Sequence, residues 1–114
     1  MYYWIIIVGA LLINGCGTQL SVLAEIEKMA NAQLAIVKAQ ESNAQELAPE
    51  PLRAAQQKLQ QAKQAVQTQN YDQATRLAEQ ALIEAKLAEA KAETEMARLV
   101  LKKMRDRLPP SLGK

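Results

Sequence analysis

Histidine and phenylalanine are absent from this 114-residue chain, and cysteine occurs once, as Cys16. A single cysteine cannot form an internal disulfide, and without histidine there is no Cys/His zinc set. The usual base that activates a serine or cysteine nucleophile is also missing. The acidic residues do not form an Asp-x-Asp-x-Asp-Gly calcium loop. We therefore expect no metal, no cofactor and no enzymatic activity.

Glycine and proline are scarce, with four of each, while alanine, glutamine, leucine, lysine and glutamate dominate. This composition is typical of long or coiled helices and predicts an all-α fold. The net charge is only +2, because 14 Lys and Arg residues are interspersed among 12 Asp and Glu residues. Such a balance does not favour nucleic acid as a partner. We also predict no small-molecule substrate.

The first 13 residues are apolar throughout. A helix of this length measures about 20 Å at 1.5 Å per residue, whereas the hydrocarbon core of a bilayer is about 30 Å thick. The segment is therefore too short to span a membrane, but it suits the apolar region of a secretory signal peptide. We interpret residues 1–15 as a lipoprotein signal peptide.

Ile13-Asn14-Gly15-Cys16 resembles the bacterial lipobox, which has an aliphatic residue three positions before the cysteine and a small residue immediately before it. The resemblance implies cleavage before Cys16 and attachment of lipid to its sulfur, so that a membrane is the first expected partner. Gly17 follows where enterobacterial lipoproteins kept at the inner membrane carry Asp, which favours the outer membrane. The alternative is an inner-membrane anchor that is never cleaved.

Apolar residues recur at three- and four-residue steps from Thr18 to about Leu47, which predicts a first helix within residues 16–47. Pro49 and Pro51 end it, because each proline removes an amide donor and disfavours helix at the preceding residue. The predicted apolar face comprises Val22, Ile26, Met29, Gln33, Ile36, Val37 and Ala44, widened by Leu23 and Ala30.

Residues 48–108 are predicted to form an antiparallel hairpin of two helices, followed by a tail over residues 109–114. The helices run from Pro51 to about Thr68 and from about Asp72 to Arg107, with a turn at Asn70-Tyr71-Asp72. The first carries a heptad-like seam of Leu52, Ala55, Leu59, Ala62 and Val66. The second carries Ala74, Ala78, Ala81, Ala85, Ala88, Ala92, Met96 and Leu99, flanked by Leu77 and Leu82.

A second apolar face lies almost opposite this alanine seam and is marked by Ile83, Leu87 and Leu101, together with Ala90 and Ala97. A helix with two apolar faces needs two neighbours. The first helix could cover the second face and complete a three-helix rod, or the face could bind another envelope protein or a second copy. The apolar residues of the first helix favour internal cover.

The last turns are basic, from Lys102 to Arg107. Cations at a helix C-terminus complement the helix dipole, which is the simpler interpretation. Contact with anionic lipid is the alternative.

Residues 48 to about 99 resemble a family of unknown-function, alanine-rich helical domains found in bacterial envelope lipoproteins, sometimes ahead of an OmpA-type domain. The residues that carry the resemblance are Ala48-Pro49, Leu52, Ala55, Leu59, Ala62, Ala65, Tyr71, Ala74, Leu77-Ala78, Ala81, Ala85, Leu87-Ala88 and Ala92. Together with the lipobox, the resemblance implies a lipid-anchored periplasmic structural or interaction module. The alternative is an adaptor or chaperone-like subunit that binds another envelope protein through Ile83, Leu87 and Leu101.

Overall fold

A computed structural model describes residues 17–110, with side chains from residue 22 onward. The chain forms four helices: α1 (Gly17–Glu41), the short α2 (Ala44–Leu47), α3 (Pro49–Gln67) and α4 (Tyr71–Arg107). The described residues contain no strand, so the predicted all-α class is confirmed. The predicted signal peptide and Cys16 lie outside the described residues.

The three long helices run up, down and up. Lys28 of α1 meets Glu79 of α4, and the end of α1 at Glu41 lies beside Glu93 of α4, so these two helices are parallel. The α3 helix runs the other way, because Lys58 contacts Glu84 while the end of α3 joins α4 through a three-residue turn. Each long helix contacts the other two. The arrangement is a slender three-helix bundle and not a flat layer.

Alanine fills the centre of the bundle. Ala85 of α4, Ala55 of α3 and Ala39 of α1 are fully buried, and among the side chains that the structure describes no large one is. Because a methyl group holds backbones apart very little, the helices approach closely, and packing against neighbouring backbones takes the place of bulky side-chain contacts. The seam of α4 recurs at three- and four-residue steps and is buried at Ala74, Ala78, Ala81, Ala85, Ala88 and Ala92.

The turn between α3 and α4 occupies residues 68–70. Thr68 Oγ1 donates to the Ala65 carbonyl at 3.1 Å, and Gln69 adopts a left-handed conformation with φ of 60°. Asn70 caps α4 by accepting from the Gln73 amide, which satisfies one of the free donors of the first turn. The helix therefore begins at Tyr71, one residue before the predicted start.

The first helix is shorter than predicted, because α1 ends at Glu41 and the chain breaks at Ser42 and Asn43. Asn43 has φ of 61° and ψ of 31°, the left-handed conformation that Asn tolerates better than most residues. We call residues 42–48 the connector. The helical spacing of apolar residues continues across the connector, and for this reason the sequence pattern predicts a single helix to about Leu47.

The predicted apolar face of α1 was wrong in part. The helix turns Ala32, Ala35, Ile36 and Ala39 into the core, while Leu23, Ile26 and Val37 are exposed. Within the predicted face, Ile36 and Ala44 are buried, Val22 and Met29 are half-buried, and Gln33 and Ala30 are exposed. The prediction relied on the large aliphatic side chains of α1. The close packing of α1 against α4 instead places mainly alanines at the contact.

Candidate functional site

The most distinctive surface is the C-terminal part of α4. No Gly or Pro interrupts α4 before Pro109, so it continues after α1 has ended and the chain has turned through the connector toward α3. Residues 93–107, which we call the overhang, extend over about 22 Å at 1.5 Å per residue. Apart from Glu95, which is half-buried, every overhang residue is exposed.

An open groove of about 740 Å³ runs along one side of the overhang. Its floor is apolar, and the connector closes it at one end. The residues that line it are Glu41, Ser42, Asn43, Glu93, Met96, Ala97, Val100, Leu101 and Met104.

The groove continues the path of α1 along α4. Leu82, Lys86 and Glu89 lie beside α1 residues, and they share one strip of α4 with Met96 and Val100 at three- and four-residue steps. The strip is covered by α1 up to Glu41 and is open beyond it. A single helix laid along α4 past the connector would therefore fill the position that α1 leaves vacant.

Charge divides the overhang into an acidic base and a basic tip. Glu41 and Glu93 line the groove beside the connector. The tip carries Lys102, Lys103, Arg105 and Arg107, all exposed, while Asp106 is its sole acid. The contrast is steep because the base and the tip are separated by only about three helical turns.

The predicted partner face is exposed. Ile83 is 65% exposed, Leu87 43% and Leu101 62%, so the first helix does not cover them. Our expectation of internal cover was wrong, because α1 and α3 both pack on the alanine side of α4. Leu101 also lines the groove, which joins the two surfaces at the overhang.

Most of the predicted hairpin seam is buried. Leu52, Ala55, Leu59 and Ala62 of α3 are buried, Val66 is half-buried, and the six alanines from Ala74 to Ala92 are buried. Met96 and Leu99, predicted to continue the seam, are instead 39% and 51% exposed, because α1 and α3 do not extend alongside them. Cys16 lies outside the described residues.

Two carboxylates at the other end of the bundle have distinct surroundings. Glu25 is buried, and its Oε2 has no hydrogen-bond partner. Its pKa is raised above the ordinary value, mainly by burial and to a smaller extent by the nearby charge of Asp72. Glu79 accepts from Lys28 Nζ at 2.8 Å, which raises the lysine pKa. Burial and the charge of Asp72 therefore act in the same direction on the pKa of Glu25.

Within residues 17–110, no three His, Cys, Asp or Glu side chains come together as ligands of a metal ion. None of the helices described there is both long enough and apolar enough to cross a membrane.

Sequence reasoning missed the groove residues Met96, Val100 and Met104. Met96 was assigned to the buried seam, and the other two belonged to no predicted face. The sequence feature that could have revealed these residues is the change from alanine to larger apolar residues after Ala92. This change coincides with the point beyond which α1 and α3 no longer cover α4.

A comparison with protein families gives one match over most of this architecture. The family described as Domain of unknown function (DUF4398) matches residues 27–104. The chain belongs to this family. The family match also includes most of α1 and residues 42–47 of the connector, which the resemblance over residues 48 to about 99 did not cover. The match ends at Met104 within the overhang. No curated protein and no solved structure matches the chain.

Proposed function

We propose that this protein is a lipid-anchored periplasmic module of the bacterial cell envelope that serves a structural or interaction role without catalysis. The lipobox-like Ile13-Asn14-Gly15-Cys16 supports the anchor. The outer membrane is the proposed location, on the basis of Gly17. In this proposal the lipid tethers the chain next to the start of α1, and the overhang contacts another protein.

The observation that carries the interaction role is the separation of the two ends. The start of α1 lies near the start of α4, because Lys28 meets Glu79, whereas the overhang lies at the far end of the parallel α4. The distance from Gly17 to the tip of the overhang is about 60 Å at 1.5 Å per residue. A tether at Cys16 leaves the apolar groove remote from the attachment point and accessible to a protein.

The anchor is tested by fatty-acid labelling of the full chain in cells. We expect the parent chain to incorporate label and to be cut before Cys16. Cys16→Ser should lose the label and accumulate as an uncut precursor, because oxygen does not replace sulfur in the transfer of diacylglycerol. Gly17→Ser keeps the thiol and is the matched control, which should remain labelled. Normal processing of Cys16→Ser would rule out the anchor.

A second candidate function is an adaptor or chaperone-like role through Ile83, Leu87 and Leu101. The exposure of all three side chains favours it. Replacing them together with Gln keeps helix propensity nearly level, so the melting temperature should hardly change while binding to another envelope protein is lost. Unchanged recovery of co-purifying envelope proteins with the triple variant would exclude this role.

A further inference from the structure

We propose that the groove beside the overhang is occupied by the overhang of a second copy of this chain, packed antiparallel, so that two bundles join through their C-terminal ends. The inference deepens the proposed interaction role by naming its partner, and it does not depend on the lipid anchor.

The sequence of the overhang is nearly symmetric about Val100. Four residues away on either side are Met96 and Met104, and seven residues away are Glu93 and Arg107. These residues follow three- and four-residue steps and so lie on one side of the helix. When two such helices pair antiparallel about Val100, each Met96 faces a Met104 of the other copy. Each Glu93 then faces an Arg107.

The two ends of the overhang carry complementary charge. Glu41 and Glu93 make the base of the groove acidic, and the tip of α4 is basic. Antiparallel pairing brings the tip of each copy to the base of the other, whereas parallel pairing would set like charges side by side. By two-fold symmetry every favourable contact is made twice.

The overhang also has the length that antiparallel pairing requires. With Val100 at the centre, Arg107 of one copy comes level with Glu93 of the other, and Leu108 and Pro109 come level with the connector. The helix α4 ends at Arg107, so it ends where the groove ends. The overhang is therefore as long as the vacant position that it would fill.

The contact is small beside a standard interface of about 800 Å² per partner, because fewer residues than the usual 20 to 30 take part. We therefore expect a reversible dimer with a dissociation constant in the micromolar range, about 1 to 100 µM. Sedimentation of the full chain in mild detergent over this range should show mass rising toward that of two copies. A constant monomer mass across the range overturns the proposal.

Charge reversal tests the pairing of Glu93 with Arg107. Glu93→Arg alone and Arg107→Glu alone should each weaken dimerisation about tenfold or more, since each creates two like-charged pairs per dimer. The double variant should restore it. Asp106→Arg, the matched control, changes the same charge on the opposite side of the overhang and should leave the dimer intact. Equal loss in Glu93→Arg and Asp106→Arg, or no rescue in the double variant, overturns the proposal.

Thiol cross-linking tests the direction. Full chains carrying Met96→Cys and chains with a different tag carrying Met104→Cys should cross-link to each other far more than either does to itself. The parent chain reports any background from Cys16, and Lys102→Cys is the control on the opposite side. Preferential cross-linking of Met96→Cys to itself would indicate parallel pairing and overturn the proposal.

A photo-cross-linker at position 100 of the full chain in cells separates this inference from the proposed function. A product with the mass of two copies supports the inference. A product with a different protein overturns it and leaves the interaction role standing. The absence of any protein product overturns both.

Discussion

Residues 71–92 and residues 93–107 belong to one uninterrupted helix, yet they meet solvent in different ways. In the first part the seam consists of six alanines with no exposed surface. In the second part, Met96 and Leu99 take the corresponding positions and are 39% and 51% exposed. The backbone is the same in both, so the neighbouring helices and the sizes of the side chains make the difference.

The size of the apolar side chains along α4 follows the extent to which α1 and α3 cover it. Where α1 and α3 flank the helix, every buried seam position of α4 is alanine. The larger buried side chains, Ile36, Leu52 and Leu59, come from α1 and α3. Where the flanking helices end, larger apolar side chains take the seam positions. Large apolar residues therefore lie outside the core of the bundle more often than inside it. In most globular proteins such residues are the ones most often buried.

Replacing Ala85 with Glu is expected to have the largest effect on stability. Overpacking costs about 1 to 3 kcal/mol, and an unpaired buried charge adds to it, so the free energy of unfolding should fall by about 3 kcal/mol or more. Thermal melts followed by circular dichroism measure this. Ala90→Glu on the exposed side of the same helix is the control. Equal midpoints for the two variants would contradict the closed alanine seam.

Truncation of a leucine to alanine should cost far more stability in the bundle than in the overhang. Leu59→Ala should cost about 2 to 3 kcal/mol, because Leu59 is buried and its loss leaves a cavity. Leu101→Ala should change the free energy of unfolding by less than about 0.5 kcal/mol in dilute monomer. Urea unfolding at low protein concentration measures both. A large loss in Leu101→Ala would mean that the overhang is covered in the monomer.

The connector is tested at Asn43, where α1 stops and the overhang becomes uncovered. Asn43→Ala should cost about 1 kcal/mol, because alanine adopts the left-handed conformation seen at this position less readily than asparagine does. Asn43→Gly should cost little, since glycine adopts this conformation freely. Urea unfolding compares the two. If alanine is tolerated as well as glycine, the left-handed break does not limit α1.

The smallest effect is expected at Glu25, at the end of the bundle opposite the overhang. Its raised pKa means that the folded chain binds a proton more tightly than the unfolded chain. Ionised Glu25 therefore lowers stability as the pH rises through that pKa. Glu25→Gln should unfold like the parent at pH 3 and be slightly more stable at pH 7. Glu27→Gln, at an exposed neighbour, should show no such gain.

The sequence predicted the helix content, the hairpin and the alanine seam of α4, because these depend on local propensity and on regular spacing. It did not predict the break at Ser42 and Asn43, because a left-handed residue between two helical segments leaves the apolar period nearly intact. Consequently the groove also escaped prediction. Its existence depends on where α1 ends relative to α4, and helical periodicity carries no information about the relative positions of two helices.

The parallel course of α1 and α4 also determines how the molecule bears tension. A pull that enters at the start of α1 and leaves through the overhang runs along the axes of both helices. The alanine contacts between them are then loaded together, in shear, and the helices must slide past one another before they separate. A pull between the starts of α1 and α4, which lie at the same end, would instead peel the contacts apart in sequence. We therefore expect the contacts between α1 and α4 to withstand a higher force along the line that joins the two ends of the bundle than between the two helix starts.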